Sequence, residues 1–94
     1  MRLIGREILD AFVSDHTGAR AWIENWIADV ELARWHTPRD IKNSFASASF
    51  LAERIVIFNV KGNRYRLEVQ VAYNSSIVIA RWAGTHAEYA KRLN

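Results

Sequence analysis

The hydrophobic pattern of this 94-residue chain changes period once, near residue 54, and this change most constrains the fold. Before it, apolar residues recur three and four positions apart, which is typical of amphipathic helices. After it, apolar and polar residues alternate, which is typical of strands with one buried face. Helices followed by strands predict an α+β protein in which N-terminal helices pack on one face of an antiparallel sheet. We expect a single domain over residues 1–94.

Three helices are predicted in the first half. The first has an apolar face of Ile4, Ile8, Leu9, Phe12 and Val13. The second has a longer apolar stripe of Trp22, Ile23, Trp26, Ile27, Val30 and Ala33. Gly18 ends the first helix and Thr17 can cap the second. The third is predicted to begin at Pro38, after an N-cap at Thr37, with Asp40 favoured by the positive end of the helix dipole.

The tryptophans of this half are more numerous than a small core needs. Three of them lie between residues 22 and 35. We expect at least one, Trp35, to be exposed on the free chain and covered by a partner protein. The alternative is that all three are buried within the chain.

Three strands and a short final helix are predicted in the second half. The strands cover residues 54–60, 64–73 and 76–83. Gly62-Asn63 and Asn74-Ser75 suit two-residue hairpin turns, which predicts an antiparallel meander. The segment from Thr85 to Glu88 has the spacing of a capping box, so a C-terminal helix is expected to begin there.

The two turns predict which strand residues share a face. They pair Phe58 with Leu67 and Val69 with Ala80, and they set Leu67 opposite Trp82. The face predicted to pack on the helices holds Phe58, Val60, Tyr65, Leu67, Val69, Val71, Val78, Ala80 and Trp82. The opposite face holds Asn59, Lys61, Arg64, Arg66, Glu68, Gln70 and Arg81.

The polar face carries four cations and one carboxylate, Glu68, for which Arg81 is the expected cross-strand partner. The whole chain has 13 Lys and Arg against 10 Asp and Glu, and ten of the basic residues are arginine. Because the guanidinium group binds phosphate in a planar, bidentate way, this face predicts nucleic-acid binding. The alternative is a solvated face that serves only solubility.

His86 would lie in the first turn of the last helix, beside the cationic face. A helix N-terminus disfavours added positive charge, so the imidazole would stay neutral and could accept a proton as a general base. Tyr89, one turn later, could add a hydroxyl group. The alternative is that both residues are structural. His16 and His36 are interpreted as surface or helix-end residues.

Several kinds of chemistry and location are disfavoured. The chain has no cysteine, which excludes disulfides, thiolate metal sites and a cysteine nucleophile. Scattered histidines without an acidic cluster predict no bound metal, and no cofactor is expected. Residues 1–7 lack the pattern of a signal peptide, and no apolar run approaches the length of a membrane span. We therefore expect a cytoplasmic protein.

Two segments of the second half resemble the HigB-type toxin family, bacterial mRNA interferases related to the RelE toxins. They are Phe58–Leu67 (FNVKGNRYRL) and Gly84–Tyr89 (GTHAEY), and their order and spacing match the family pattern. Residues 37–41 and 47–50 are also similar to the family. The resemblance implies a RelE-like, microbial-RNase-like fold, with an edge strand formed by residues 1–4.

The resemblance also implies an activity and partners. Family members cleave mRNA without a metal, often on the translating ribosome. The RNA 2′-hydroxyl attacks the adjacent phosphorus, and a 2′,3′-cyclic phosphate remains. A HigA-type helix-turn-helix antitoxin neutralises the toxin. Three alternatives stay open: a ParE-like toxin acting on gyrase, a non-catalytic RNA- or ribosome-binding module, and a decayed toxin that binds only its antitoxin.

The site residues follow from the resemblance and from the predicted sheet face. Lys61, Arg64, Arg66 and His86 match family motifs by position, whereas Arg81 is supported by its strand and face. Arg66 and Arg81 would bind the phosphorane, and Lys61 and Arg64 would bind substrate phosphates. His86 would transfer a proton, with Tyr89 as a lesser candidate for that role or for base stacking. The full RNA-binding set is Lys61, Asn63, Arg64, Arg66 and Arg81.

Overall fold

The computed structural model describes residues 1–52 and 54–92, which form a helical layer on a five-stranded sheet. The elements are β1 Arg2–Ile4, α1 Arg6–Asp15, α2 Arg20–Leu32, α3 Pro38–Ser44, β2 Ser49–Ala52, β3 Ile55–Val60, β4 Tyr65–Ala72, β5 Ile77–Thr85 and α4 His86–Arg92. The spatial order of the strands is β1-β5-β4-β3-β2. The predicted α+β class and its helices are confirmed.

β4 lies at the centre of the sheet, and its pairing with β3 is as predicted. Phe58 lies opposite Leu67, but the turn covers residues 61–64 rather than only the predicted Gly62-Asn63. The side chains of Leu67, Val69 and Val71 are fully buried in the core beneath the helices. Alternation along β4 therefore sends the intervening residues to the opposite face of the sheet.

The pairing of β5 with β4 differs from the prediction at a β-bulge. Val69 lies opposite Ala80, as expected, but Glu68 lies opposite Trp82. Arg81 is the extra residue on β5 between these two pairs. The predicted pairings of Glu68 with Arg81 and of Leu67 with Trp82 are therefore wrong. Because directly opposed residues share a face, Trp82 lies away from the core.

Both edges of the sheet hold short strands that the alternation pattern does not predict. β1 pairs in parallel with β5, which makes the sheet mixed and confirms the edge strand implied by the family resemblance. Ile4 therefore belongs to β1 rather than to the predicted first helix, and its side chain is exposed. β2 pairs with β3 at the other edge.

The helices cover one face of the sheet with the apolar residues that the helical period predicts. Leu9, Phe12 and Val13 of α1 are buried, and so are four residues of α2. α3 begins at Pro38 within a capping box, in which the Asp40 carboxylate accepts hydrogen bonds from the backbone of His36 and Thr37. Among the described helices, none is long and apolar enough to cross a membrane.

The prediction of a partner-facing Trp35 is wrong. Its side chain is only 4% exposed and its ring lies against the rings of Phe45 and Phe58. Trp26 is also buried, and Trp22 is partly buried beside Phe45. Among the described residues of this half, the exposed large apolar side chains are instead those of Ile4, Leu32 and Leu51, of which Leu32, at the end of α2, is the most exposed. The tryptophans fill the space between the helices and β3.

We expect Gly5→Ala to destabilise the fold more than Gly62→Ala. Both glycines have positive φ, which costs another residue about 1–2 kcal/mol. A Cβ at Gly5 would also lie 2.6 Å from the Ala80 carbonyl oxygen, whereas a Cβ at Gly62 has no heavy atom within 4 Å. Urea unfolding of both variants measures the difference. Equal losses of unfolding free energy would contradict the steric contribution at Gly5.

Candidate functional site

The side chains of β3, β4 and β5 that point away from α1, α2 and α3 form what we call the outer face. Its floor is partly apolar, because Ile57 lies opposite Glu68 and Ile79 lies opposite Gln70. Ile57 is only 3% exposed although it lies outside the main core. The outer face is therefore a mixed surface of apolar floor and charged side chains, rather than the wholly polar face predicted from the sequence.

Arg66 is anchored beside the turn that precedes it. Its guanidinium group donates to the Asn63 side-chain oxygen at 3.0 Å and to the Tyr65 carbonyl at 3.1 Å. The turn reaches this shape because Lys61 and Gly62 both adopt positive φ. Asn63 thus orients Arg66 through a neutral amide, which leaves the charge of Arg66 uncompensated.

Lys61 leaves the outer face and reaches towards the helical layer. Its amino group donates to the Gly18 carbonyl at 3.1 Å, in the short 3₁₀ turn between α1 and α2. Arg64, at the end of the same turn, is exposed. The structure thus keeps the two residues in one turn but directs Lys61 away from Arg66.

Arg81 and Glu68 have different partners from those predicted. Arg81 donates to the Gln70 side-chain oxygen at 2.7 Å. Glu68 instead pairs with Arg92 at 3.3 Å, from the last turn of α4. The bulge at Arg81 explains the change, because it places Trp82 opposite Glu68.

Arg66 and Arg81 share the outer face, but their guanidinium groups are held apart. Arg66 and the partner of Arg81, Gln70, are four positions apart on β4, which corresponds to about 13 Å along the strand. Glu68 lies between them on the same face. A group that contacts both arginines must therefore draw at least one of them from its present partner.

α4 begins at His86 and brings Tyr89 beside Trp82 on the outer face. The Thr85 hydroxyl accepts from the Glu88 backbone, and the Glu88 carboxylate accepts from the Thr85 backbone, which confirms the predicted capping box. His86 is exposed and its backbone N–H donates to the Arg64 carbonyl at 3.0 Å. The Tyr89 ring lies 6.0 Å from the Trp82 ring. His86 therefore lies near the start of β4, beside the turn at residues 61–64, whereas Tyr89 packs against Trp82.

The sequence interpretation missed the position of His16. Its ring lies 5.2 Å from the rings of both Phe12 and Tyr65, at the C-terminal end of α1. His16 and His86 therefore flank the start of β4, the first through Tyr65 and the second through the Arg64 carbonyl. No local pattern signals this approach, because His16 and Tyr65 are distant in the sequence.

Arg92 is a second residue that the sequence interpretation missed. Its guanidinium carbon lies 4.5 Å from the centre of a Trp82 ring, and it forms the ion pair with Glu68. A signal exists in the sequence, because Tyr89 and Arg92 are three apart on the predicted last helix and therefore share a face.

The described residues show no arrangement suited to a bound metal ion. Within residues 1–52 and 54–92, no three His, Asp or Glu side chains come close enough together to hold one. The basic side chains of the outer face can donate hydrogen bonds and stabilise negative charge, and the His86 imidazole can transfer a proton.

Comparison with known protein families places these residues in context. The family model HigB_toxin, described as the RelE-like toxic component of a toxin-antitoxin system, matches residues 19–92. The match covers α2, α3, α4 and four of the five strands, and so it includes all seven predicted site residues. No curated protein matches the chain significantly.

The start of α4 is expected to loosen in acid. Hydrogen bonds from the backbone and hydroxyl of Thr85 lower the pKa of Glu88 below its ordinary value. A lowered pKa stabilises the fold above the ordinary carboxyl pKa, and this stabilisation is lost as the pH falls through the lowered value. Glu88→Gln should therefore reduce the melting temperature at neutral pH and flatten its acid dependence.

Thermal unfolding of Glu88→Gln from pH 7 to pH 3 tests this expectation. Glu24→Gln, on the exposed side of α2, is the matched control because it makes the same chemical change away from a helix cap. An acid dependence of Glu88→Gln identical to that of the parent would contradict the role of the carboxylate at the cap.

Proposed function

This chain belongs to the HigB_toxin family of RelE-like toxins of toxin-antitoxin systems, and we propose that it is an endoribonuclease that cleaves mRNA. The proposed substrate is mRNA on the translating ribosome, which would place its action in the cytoplasm. Cleavage would proceed without a metal and leave a 2′,3′-cyclic phosphate.

The uncompensated charge of the basic residues is the observation that carries this proposal. Lys61, Arg66 and Arg81 donate to carbonyl and amide oxygens, which are neutral acceptors. Among the described residues, none of the three lies within 4 Å of a carboxylate oxygen. A phosphate oxygen is a stronger acceptor than an amide, so RNA can replace these partners with a gain in hydrogen-bond strength.

The proposed reaction uses these cations to stabilise the transition state. The RNA 2′-oxygen forms a bond to phosphorus while the bond to the 5′-oxygen breaks, and negative charge accumulates on the other phosphate oxygens. Arg66 and Arg81 would leave their amide partners, Asn63 and Gln70, to bind those oxygens. Lys61 and Arg64 would contact neighbouring phosphates and fix the position of the strand.

Two proton transfers complete the reaction. One proton leaves the 2′-hydroxyl and one is added to the departing 5′-oxygen. His86 would perform one of these transfers, because it is exposed beside the turn that carries Arg64. Tyr89 would have a lesser part, since its ring already packs near Trp82. His16 lies at the same end of β4 and supplies a second imidazole there.

The family implies an antitoxin partner, and we propose one of the HigA type with a helix-turn-helix DNA-binding fold. Neutralisation would require that the antitoxin keep mRNA from the outer face or from the turn at residues 61–64. Co-expression with the product of a neighbouring small reading frame would test this pairing by rescue of growth.

Arg66→Ala and His86→Ala should each abolish growth arrest and message cleavage when expressed in cells. Arg66→Ala removes a cation from the phosphorane, and His86→Ala removes a proton-transfer group. Mapping of RNA 5′ ends measures cleavage directly. Arg39→Ala, an exposed arginine on α3, is the control because it removes the same charge away from the site and should cleave as the parent does.

The same experiment separates the alternative functions. Cleavage by both site variants at parental levels would contradict the assigned residues. Filamentation with a DNA-damage response and intact messages would indicate a gyrase-targeting toxin. Growth arrest with intact messages and no DNA damage would indicate a non-catalytic RNA- or ribosome-binding protein. No effect even for the parent, with antitoxin binding retained, would indicate a decayed toxin.

Binding of a non-cleavable single-stranded RNA should weaken as salt concentration rises. For single strands, the logarithm of the association constant falls as the logarithm of the salt concentration rises. This negative slope becomes steeper by about 0.7 for each phosphate that a cation neutralises. Arg66→Ala and Arg81→Ala should each reduce this slope by about 0.7. Fluorescence anisotropy over a salt series measures it, and Arg39→Ala should retain the parental slope. An unchanged slope would show that the substituted arginine does not bind phosphate.

A further inference from the structure

Trp82 is a large aromatic side chain on the outer face, where no part of the reaction described above requires it. The bulge at Arg81 turns it away from the core, and it is only partly buried. Its neighbour in sequence is Arg81, and the residue two positions later, Gly84, pairs with Arg66. The indole therefore lies between the two arginines that would bind the reacting phosphate.

Gly84 allows the indole to lie directly against the strand. A Cβ at this position would be 2.6 Å from Cζ2 and 2.7 Å from Cη2 of Trp82, which is closer than real side chains approach. One side of the ring is thus fixed to the sheet, with Tyr89 beside it at 6.0 Å. A ring held in this way loses little conformational freedom when a ligand stacks on it.

Arg92 covers the Trp82 ring in the free protein. Its guanidinium carbon is 4.5 Å from the ring centre, and Glu68 holds the same group at 3.3 Å. The Arg92 side chain is 40% exposed, and such ion pairs contribute little to stability. Guanidinium groups and nucleobases are both planar and both stack on aromatic rings. Arg92 therefore occupies the position that a base would take, and it is weakly held there.

We propose that Trp82 is a stacking platform for a nucleobase next to the cleaved phosphate, and that Arg92 is a displaceable cover of that platform. This inference rests on the proposed RNA substrate, but it does not depend on cleavage. When a base stacks on Trp82, Arg92 leaves the ring. The subsite accepts any base, because stacking uses the ring face rather than the base edge.

Binding of a 2′-O-methylated RNA hexamer, which cannot be cleaved, tests the platform. Trp82→Leu should weaken binding about tenfold, whereas Trp82→Phe should retain most of the affinity because it keeps an aromatic face. The complementary change removes the base instead of the ring. It uses a set of hexamers, each with an abasic nucleotide at a different position. One abasic position should weaken binding to the parent about tenfold and have no further effect on Trp82→Leu.

A spectroscopic measurement on the parent protein avoids any effect of the substitutions on folding. The indole N–H resonance of Trp82 is identified as the one absent from Trp82→Phe, and it should shift upfield when the hexamer binds. The resonance of Trp22, on the other side of the sheet, should not move. A hexamer that binds without shifting the Trp82 resonance, or that binds Trp82→Leu as tightly as the parent, would overturn the platform.

Arg92→Ala and Lys91→Ala together test the cover. When Glu68→Gln is also present, so that no carboxylate loses its partner, both remove one positive charge from α4, but only Arg92→Ala uncovers the Trp82 ring. Arg92→Ala should therefore bind the hexamer more tightly than Lys91→Ala. Equal or weaker binding by Arg92→Ala would show that Arg92 does not compete with the base.

The outcomes distinguish this inference from the proposed function. If the parent does not cleave mRNA but Trp82→Leu loses hexamer binding, the stacking platform stands and the catalytic proposal fails. If the parent cleaves mRNA while Trp82→Leu cleaves and binds as the parent does, the catalytic proposal stands and the platform fails.

Discussion

β4 is paired with an antiparallel strand on each side, and its register fixes which side chains lie on each face of the sheet. Leu67, Val69 and Val71 are fully buried on one face, and hydrogen-bonded ladders bind the strand on both sides. A slip of one residue would expose these three side chains and bury Arg66 and Glu68 in the core. Burial of the apolar residues of β4 in the core therefore places the charged residues of this strand on the outer face.

The bulge on β5 allows two alanines of this strand, three positions apart, to face the core together. Ala80 and Ala83 both lie opposite buried residues of β4, although they are three positions apart. Strict alternation would place them on opposite faces, so one extra residue must lie between them. Arg81 is that residue, and the consequence is that Trp82 and Gly84 lie on the outer face. One local irregularity thus converts a charged surface into one that also carries an aromatic ring.

Pairing within the outer face decides which charges are available to a ligand. Among the described side chains of β3, β4 and β5, the one carboxylate on the outer face is that of Glu68, which is paired with Arg92 rather than with Arg81. Arg66 and Arg81 keep neutral partners and so retain their charge. The net charge of +3 does not reveal this distribution, because it averages the outer face with the acidic residues on the helices.

Local patterns were sufficient to predict α2, α3, the three long strands, the positions of both hairpin turns and the capping box of α4. These features depend on periodicity and on hydrogen bonds between residues a few positions apart, which the sequence displays directly. The edge strand β2 was not predictable in this way, since its pairing with β3 is its main support. The expected exposure of Trp35 failed for a similar reason, because the rings that bury it, Phe45 and Phe58, come from other elements.

The sequence alone predicts the helices, the three long strands, the register of β3 with β4 and the clustering of Lys61, Arg64, Arg66, Arg81 and His86 near one region of the sheet. The partners of these side chains come from distant segments that folding brings together. Glu68 meets Arg92, 24 positions away, and Lys61 meets the Gly18 carbonyl, 43 positions away. The physical reason is that periodicity and capping act within one or two turns of the chain. Pairing of charges and stacking of rings depend instead on which distant segments the packed core brings together.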